Sequence, residues 1–129
     1  MTVRRLEALA DAVARLSGWH DPDTAAYQNR NPGALQAFGV RHERSTDGLR
    51  VFHSALDGYQ ALLFDLAIKC VGRSRSGLKS TSTLRELMLA YGQPATASAY
   101  IVKFLRRALK DLTITCDTQL SYFVEESNG

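Results

Sequence analysis

Apolar residues return every three or four positions along most of this chain, and clusters of glycine, proline and asparagine interrupt that rhythm. Between 3 and 16 the series Val3, Leu6, Ala10, Val13 and Leu16 has the period of an amphipathic helix with one face in a core, and Gly18 stops it. The rhythm resumes from 55 to 70 with Tyr59, Leu62, Leu63, Leu66 and Cys70, where Ser54 is placed to cap the helix start. Thr83 and Glu86 have the spacing of a capping box and open a short helix through Leu87, Met88 and Tyr91, which Gly92 and Pro94 break. A helix over 96–110 sets Tyr100, Ile101, Phe104, Leu105, Ala108 and Leu109 on one face, with basic residues opposite. Asp117 is expected to cap a last short helix through Leu120, Phe123 and Val124.

The remainder is turn material. Short extended runs at 36–40 and 49–52 flank Asp47-Gly48, which predicts one small antiparallel β-hairpin. The stretch 72–82 is rich in Ser, Gly and Arg and reads as a mobile basic loop. The expectation is a mainly α chain with that single hairpin, forming one domain over 1–129.

Composition narrows the class. With 129 residues, 45% hydrophobic and 22% charged, the chain has the balance of a globular protein and not of a disordered one. No apolar run approaches the roughly 20 residues that cross a bilayer, so no membrane span is expected. The basic start is followed by Glu7, Asp11 and Arg15, which interrupt any secretory apolar stretch, so no export signal is read. Cys70 and Cys116 lack metal-ligand spacing and read as buried free thiols, with a disulfide left open. His20, His42 and His53 are scattered, so neither a metal site nor a cofactor is expected, and no nucleic-acid motif stands out. The net charge of +3 gathers in two clusters, Arg73, Arg75 and Lys79, then Lys103, Arg106, Arg107 and Lys110. Such clusters are either solvated faces or a polyanion site.

Three blocks stand in an order that goes beyond class. Gln28-Asn29-Arg30-Asn31-Pro32-Gly33-Ala34-Leu35 resembles the Arg-Asn-Asn-Asn-Pro-Gly-Asn-Leu signature of small phage and bacterial proteins with a lysozyme-like, lytic-transglycosylase-like fold, agreeing at Asn29, Asn31, Pro32 and Gly33. The segment 51–62 is similar to the family's Phe-x-Thr-x-Glu-x-Gly-x-x-Ala-Leu block at Phe52, Gly58, Ala61 and Leu62. Thr83-Leu84-Arg85-Glu86-Leu87, Tyr91-Gly92-Gln93-Pro94 and Ala99-Tyr100-Ile101 follow its Thr-Leu-Arg-Glu-Ile, Trp-Ala-Pro-Pro and Ala-Tyr-Ile pattern. The resemblance spans about 6–109 and implies a lysozyme-like helical domain with one small hairpin.

It also implies where the chemistry would lie. In that family a Glu-Gly pair ends the first helix, and the glutamate is the general acid that protonates the glycosidic oxygen; here the pair reads Ser17-Gly18. A hydroxyl is a very poor acid near neutral pH and does not replace a carboxyl tuned by a cleft. Gln28 and Ala34 depart from the signature's first Arg and last Asn as well. Asp21, Asp23 and Glu43 are the carboxylates placed to substitute, although each has an ordinary role in a turn or on the surface. Trp19, Tyr27, Tyr91 and Tyr100 offer flat faces for pyranose rings, and Asn29 and Asn31 offer amides for hydroxyls; core packing and loop shaping compete with those roles.

Three functions remain. The first is a degenerate lysozyme-like domain that binds peptidoglycan or a related polysaccharide without Glu-dependent cleavage. The second is an active murein hydrolase or lytic transglycosylase that uses a displaced carboxylate. The third is a non-catalytic module for a protein or polyanion. The expected location is cytoplasmic or phage-associated, with release to the cell wall by another route.

Overall fold

The computed structural model describes residues 4–18, 23, 54–73 and 77–125, and over these the protein is mainly helical. The described α-helices are α1 (Arg4–Leu16), α2 (Ala55–Cys70), α3 (Leu84–Ala90) and α4 (Ser98–Leu109). Short 3-10 turns at Ala95–Ala97 and Leu120–Phe123 precede α4 and close the described chain. Among the described residues the sole sheet-like feature is an isolated antiparallel bridge between Thr83 and Gln119. The hairpin expected over 36–52 lies outside them. No helix among the described residues is long and apolar enough to cross a membrane.

The helix α1 packs chiefly against α4 and α2. Leu6, Ala10 and Val13 are buried as their period predicts, and Ala8, Leu9, Ala12 and Ala14 are buried with them. The apolar arc is therefore wider than one stripe, and its alanines let neighbouring helices approach closely on two sides. At the other end of α1, the Arg5 guanidinium lies 4.1 Å over the Tyr122 ring and donates to the Tyr122 carbonyl at 3.0 Å. Arg4 donates to the carbonyl of Leu109, the last residue of α4, at 3.3 Å. Cations of the first turn of α1 thus satisfy carbonyls that a helix end and a 3-10 turn leave open.

Local capping chemistry starts the next helices where the sequence reading places them. The Ser54 hydroxyl accepts from the Asp57 N–H at 3.1 Å and opens α2. Thr83 and Glu86 form the reciprocal capping box of α3. The first-turn N–H groups of Leu84 and Arg85 donate to the carbonyls of Thr118 and Cys116, so the segment before the last 3-10 turn finishes the capping of α3. Leu62, Leu66, Leu84, Leu87, Met88, Ile101, Leu105, Leu120 and Phe123 meet Leu9 in a core to which every described helix contributes.

Three expectations need correction. Asp117 does not cap the last helical turn: Gln119 precedes Leu120–Phe123, and Asp117 instead pairs with Arg85, because 115–118 is folded on itself as a hydrogen-bonded turn. The loop 72–82 is docked over 77–82, where Leu78 is buried and the carbonyls of Ser80 and Ser82 receive the N–H groups of Ser121 and Leu120. A continuous apolar face on α4 is also too broad. Ile101, Val102, Leu105 and Leu109 fill the interior, Phe104 is half-buried, and Tyr100 and Ala108 face solvent.

Candidate functional site

The sequence-predicted site residues divide sharply. Trp19, Asp21, Tyr27, Asn29, Asn31 and Glu43 lie outside the described residues, whereas Ser17, Asp23, Tyr91 and Tyr100 lie within them. Asp23 is exposed.

Ser17 follows the last turn of α1. Its N–H continues the helical pattern by donating to the Val13 carbonyl at 3.0 Å, and its hydroxyl donates back to the Ala14 carbonyl at 2.7 Å. The N–H of Gly18 closes the turn on Arg15 at 3.2 Å. The residue is half-buried, and its hydroxyl proton is directed at a helix carbonyl, which is the structural role open to any serine near a helix terminus. A hydroxyl so engaged is a poor acid near neutral pH.

Two residues earlier, Arg15 reaches across to α4. Its guanidinium stands 5.1 Å from the centroid of the Phe104 ring. Arg15 and Phe104 join Tyr100, Lys103 and Arg107 around a cavity of about 240 Å³. Tyr100 is 49% exposed, so its ring is available at that cavity. The helical period explains the set: 100, 103, 104 and 107 are spaced by three and four, so they share one face of α4 beside the buried one.

A larger cavity, about 710 Å³, adjoins the first across Lys103 and Arg107. Arg85, Arg106, Cys116 and Asp117 also line it. Arg85 donates to Asp117 at 2.9 Å, and this bond, together with the charge of Asp117, holds the guanidinium protonated even more firmly than usual. Arg106, which also lines the cavity, directs its Nε–H to the Ile114 carbonyl at 2.7 Å. Both cysteines are free; Cys70 is buried, and that burial pushes its thiol up to about 12, whereas Cys116 is half-buried at the cavity wall.

Tyr91 belongs to a different arrangement. Its hydroxyl donates to Asp65 at 2.6 Å, Asp65 also accepts from Lys69, and the Lys69 ammonium sits 4.8 Å from the Tyr91 ring centroid. Burial first, and the Asp65 carboxylate second, hold the phenol well above its ordinary range. The three side chains satisfy one another and join α2 to the end of α3, so Tyr91 takes the structural role. Neither of the two cavities described above has Tyr91 in its lining. Lys69, whose side chain is nearly buried, carried no signal in the sequence beyond its i, i+4 distance from Asp65.

Among the described residues no group of three or more His, Cys, Asp and Glu side chains could hold a metal ion. Compared with known proteins, the chain matches no family model, no curated protein and no solved structure.

Proposed function

We propose that this chain is a lysozyme-like protein that binds peptidoglycan or a related polysaccharide and does not cleave it by the glutamate-dependent route. The observation that carries the reading is the cavity where half-exposed Tyr100 stands beside Phe104, Arg15, Lys103 and Arg107. A flat ring takes the apolar face of a pyranose, and N–H donors beside it take hydroxyl oxygens. The motif order along 28–101 supports the scaffold, and Ser17 supports the lack of cleavage. The described lining of this cavity contains no carboxylate, so neither a general acid nor a nucleophile is at hand among those residues.

The test is a sedimentation assay with insoluble peptidoglycan, paired with turbidity of a cell-wall suspension. The protein is expected to sediment with the wall and to leave turbidity unchanged, and Tyr100→Ala is expected to weaken binding roughly tenfold, the loss of one aromatic platform. Wall clearance by the native protein would overturn the non-cleaving half of the reading; absence of sedimentation would overturn the binding half. Ser17→Glu restores a carboxyl at the family's acid position and is expected to introduce slow clearance.

A further inference from the structure

The larger cavity is the strongest feature left unused. Four cations, Arg85, Lys103, Arg106 and Arg107, line it against one carboxylate, Asp117. Asp117 is already committed to Arg85, and no ion pair among the described residues engages Lys103, Arg106 or Arg107. Lys103 and, one turn on, the adjacent Arg106 and Arg107 therefore line a concave surface with no ion pair among the described residues to offset their charge. Like charges at that spacing repel, so the arrangement costs stability in the free protein and is relieved by an anion. Two of the three are arginines, whose parallel N–H donors match a pair of oxygens on one phosphate.

The two cavities share Lys103 and Arg107 in their linings, which sets them side by side along α4. We propose that the joined cavities form one groove for an anionic glycan, with a sugar ring at Tyr100 and phosphodiester groups of the same polymer at Lys103, Arg106 and Arg107. This inference rests on the polysaccharide reading above and adds the charge class of the ligand. The occupant follows from complementarity: an aromatic at one end calls for a ring, and a row of unpaired cations calls for a fixed negative charge that no working pH removes.

Cys116 supplies a reporter inside the groove, with buried Cys70 as the silent control. The experiment compares cell walls bearing poly(glycerol phosphate) with the same walls stripped of it. The native protein is expected to bind the phosphate-bearing walls about tenfold more tightly, the effect of one or two charge-assisted contacts, and to lose that advantage at high salt. Soluble poly(glycerol phosphate) is expected to slow alkylation of Cys116 by neutral iodoacetamide at least severalfold. The double variant Arg85→Gln/Arg106→Gln, which touches only the larger cavity, should lose the advantage and still bind stripped walls.

Equal binding to both walls, or unchanged Cys116 alkylation in the native protein, would overturn the anionic groove while leaving the polysaccharide reading intact. Binding only to phosphate-bearing walls, with none to stripped ones, would sink the sugar-ring half and the polysaccharide reading with it. A single-stranded oligonucleotide of equal charge that displaces the protein from walls at the same or lower concentration would overturn a glycan as the occupant. The cysteine readout uses the unmutated protein, so the test survives a variant that does not fold.

Discussion

The segment that follows α4 and the face of α4 that carries Tyr100 treat their polar groups in opposite ways. After the last turn of α4 the polar groups are tied to the fold: Arg4 reaches Leu109, and Asp111 accepts from Thr113 and Tyr122. On that face of α4, Tyr100, Lys103 and Arg107 stand at open cavities without such ties. A hydrogen-bonded polar group stabilises the protein whether or not a ligand arrives, whereas a cation held toward a concave surface contributes little until one does. The first region reads as structure and the second as a site.

The largest effect expected on the structural side comes from the core beneath both. Leu105 is fully buried, and Leu105→Ala is expected to cost about 3 kcal/mol in urea denaturation through lost burial and the cavity left behind. A cost below about 1 kcal/mol would mean that α4 is not packed on α1 as described.

A backbone test comes next. Gly72 ends α2 at φ +80°, and a Cβ there would lie 3.2 Å from the backbone nitrogen of Ser80. Gly92 has a similar φ of +74° with open space around it. Gly72→Ala is expected to cost about 2 kcal/mol and Gly92→Ala about 1, the difference reporting the close approach of the 79–80 backbone. Equal costs would show that the loop over 77–82 is not docked against the end of α2.

The pH response sharpens the contrast further. The Thr113 hydroxyl, then the Tyr122 hydroxyl and the Thr113 N–H, hold the Asp111 carboxyl down from the ordinary 3.8 to about 2. A depressed carboxyl contributes stability above its unfolded value and loses it as the pH falls through the folded one. Stability should therefore decline between the ordinary carboxylate value and about 2, and Asp111→Asn should flatten that decline in thermal unfolding followed against pH. An unchanged acid limb in the variant would assign the decline to other carboxylates.

The smallest stability effects belong to the proposed site. Lys103→Ala and Tyr100→Ala are each expected to change unfolding free energy by no more than about 0.5 kcal/mol, as exposed positions do. A loss several times larger would move these side chains from the site to the structural side of the comparison.

What the sequence made legible was local. Ser54, the Thr83 and Glu86 pair and the stop at Gly18 were readable because a cap or a helix end is decided within about four residues. The ion pair of Arg85 with Asp117 and the bond of Tyr91 to Asp65 were not, because they form only after segments distant in sequence meet. Tyr100 shows the limit of periodicity: α4 carries more apolar residues than one buried face accommodates, and the period does not say which edge is left outside. Tyr100 was legible as a candidate through its place in the Ala99-Tyr100-Ile101 block, but its neighbours Arg15, Lys103 and Arg107 had appeared only as charges. The signature around Asn29, Asn31, Pro32 and Gly33 lies outside the described residues, so its contribution to the site rests on the resemblance.

The central claim is that a sugar chain lies against Tyr100 and leaves uncut. Titrating isotope-labelled protein with a soluble peptidoglycan oligosaccharide, and following both sets of nuclear magnetic resonance signals, tests it most directly. The account predicts that the signals of Arg15, Tyr100, Lys103, Phe104 and Arg107 shift together on binding while the oligosaccharide spectrum shows no cleavage products. Shifts confined to other parts of the molecule, or the appearance of shortened sugars, would contradict it.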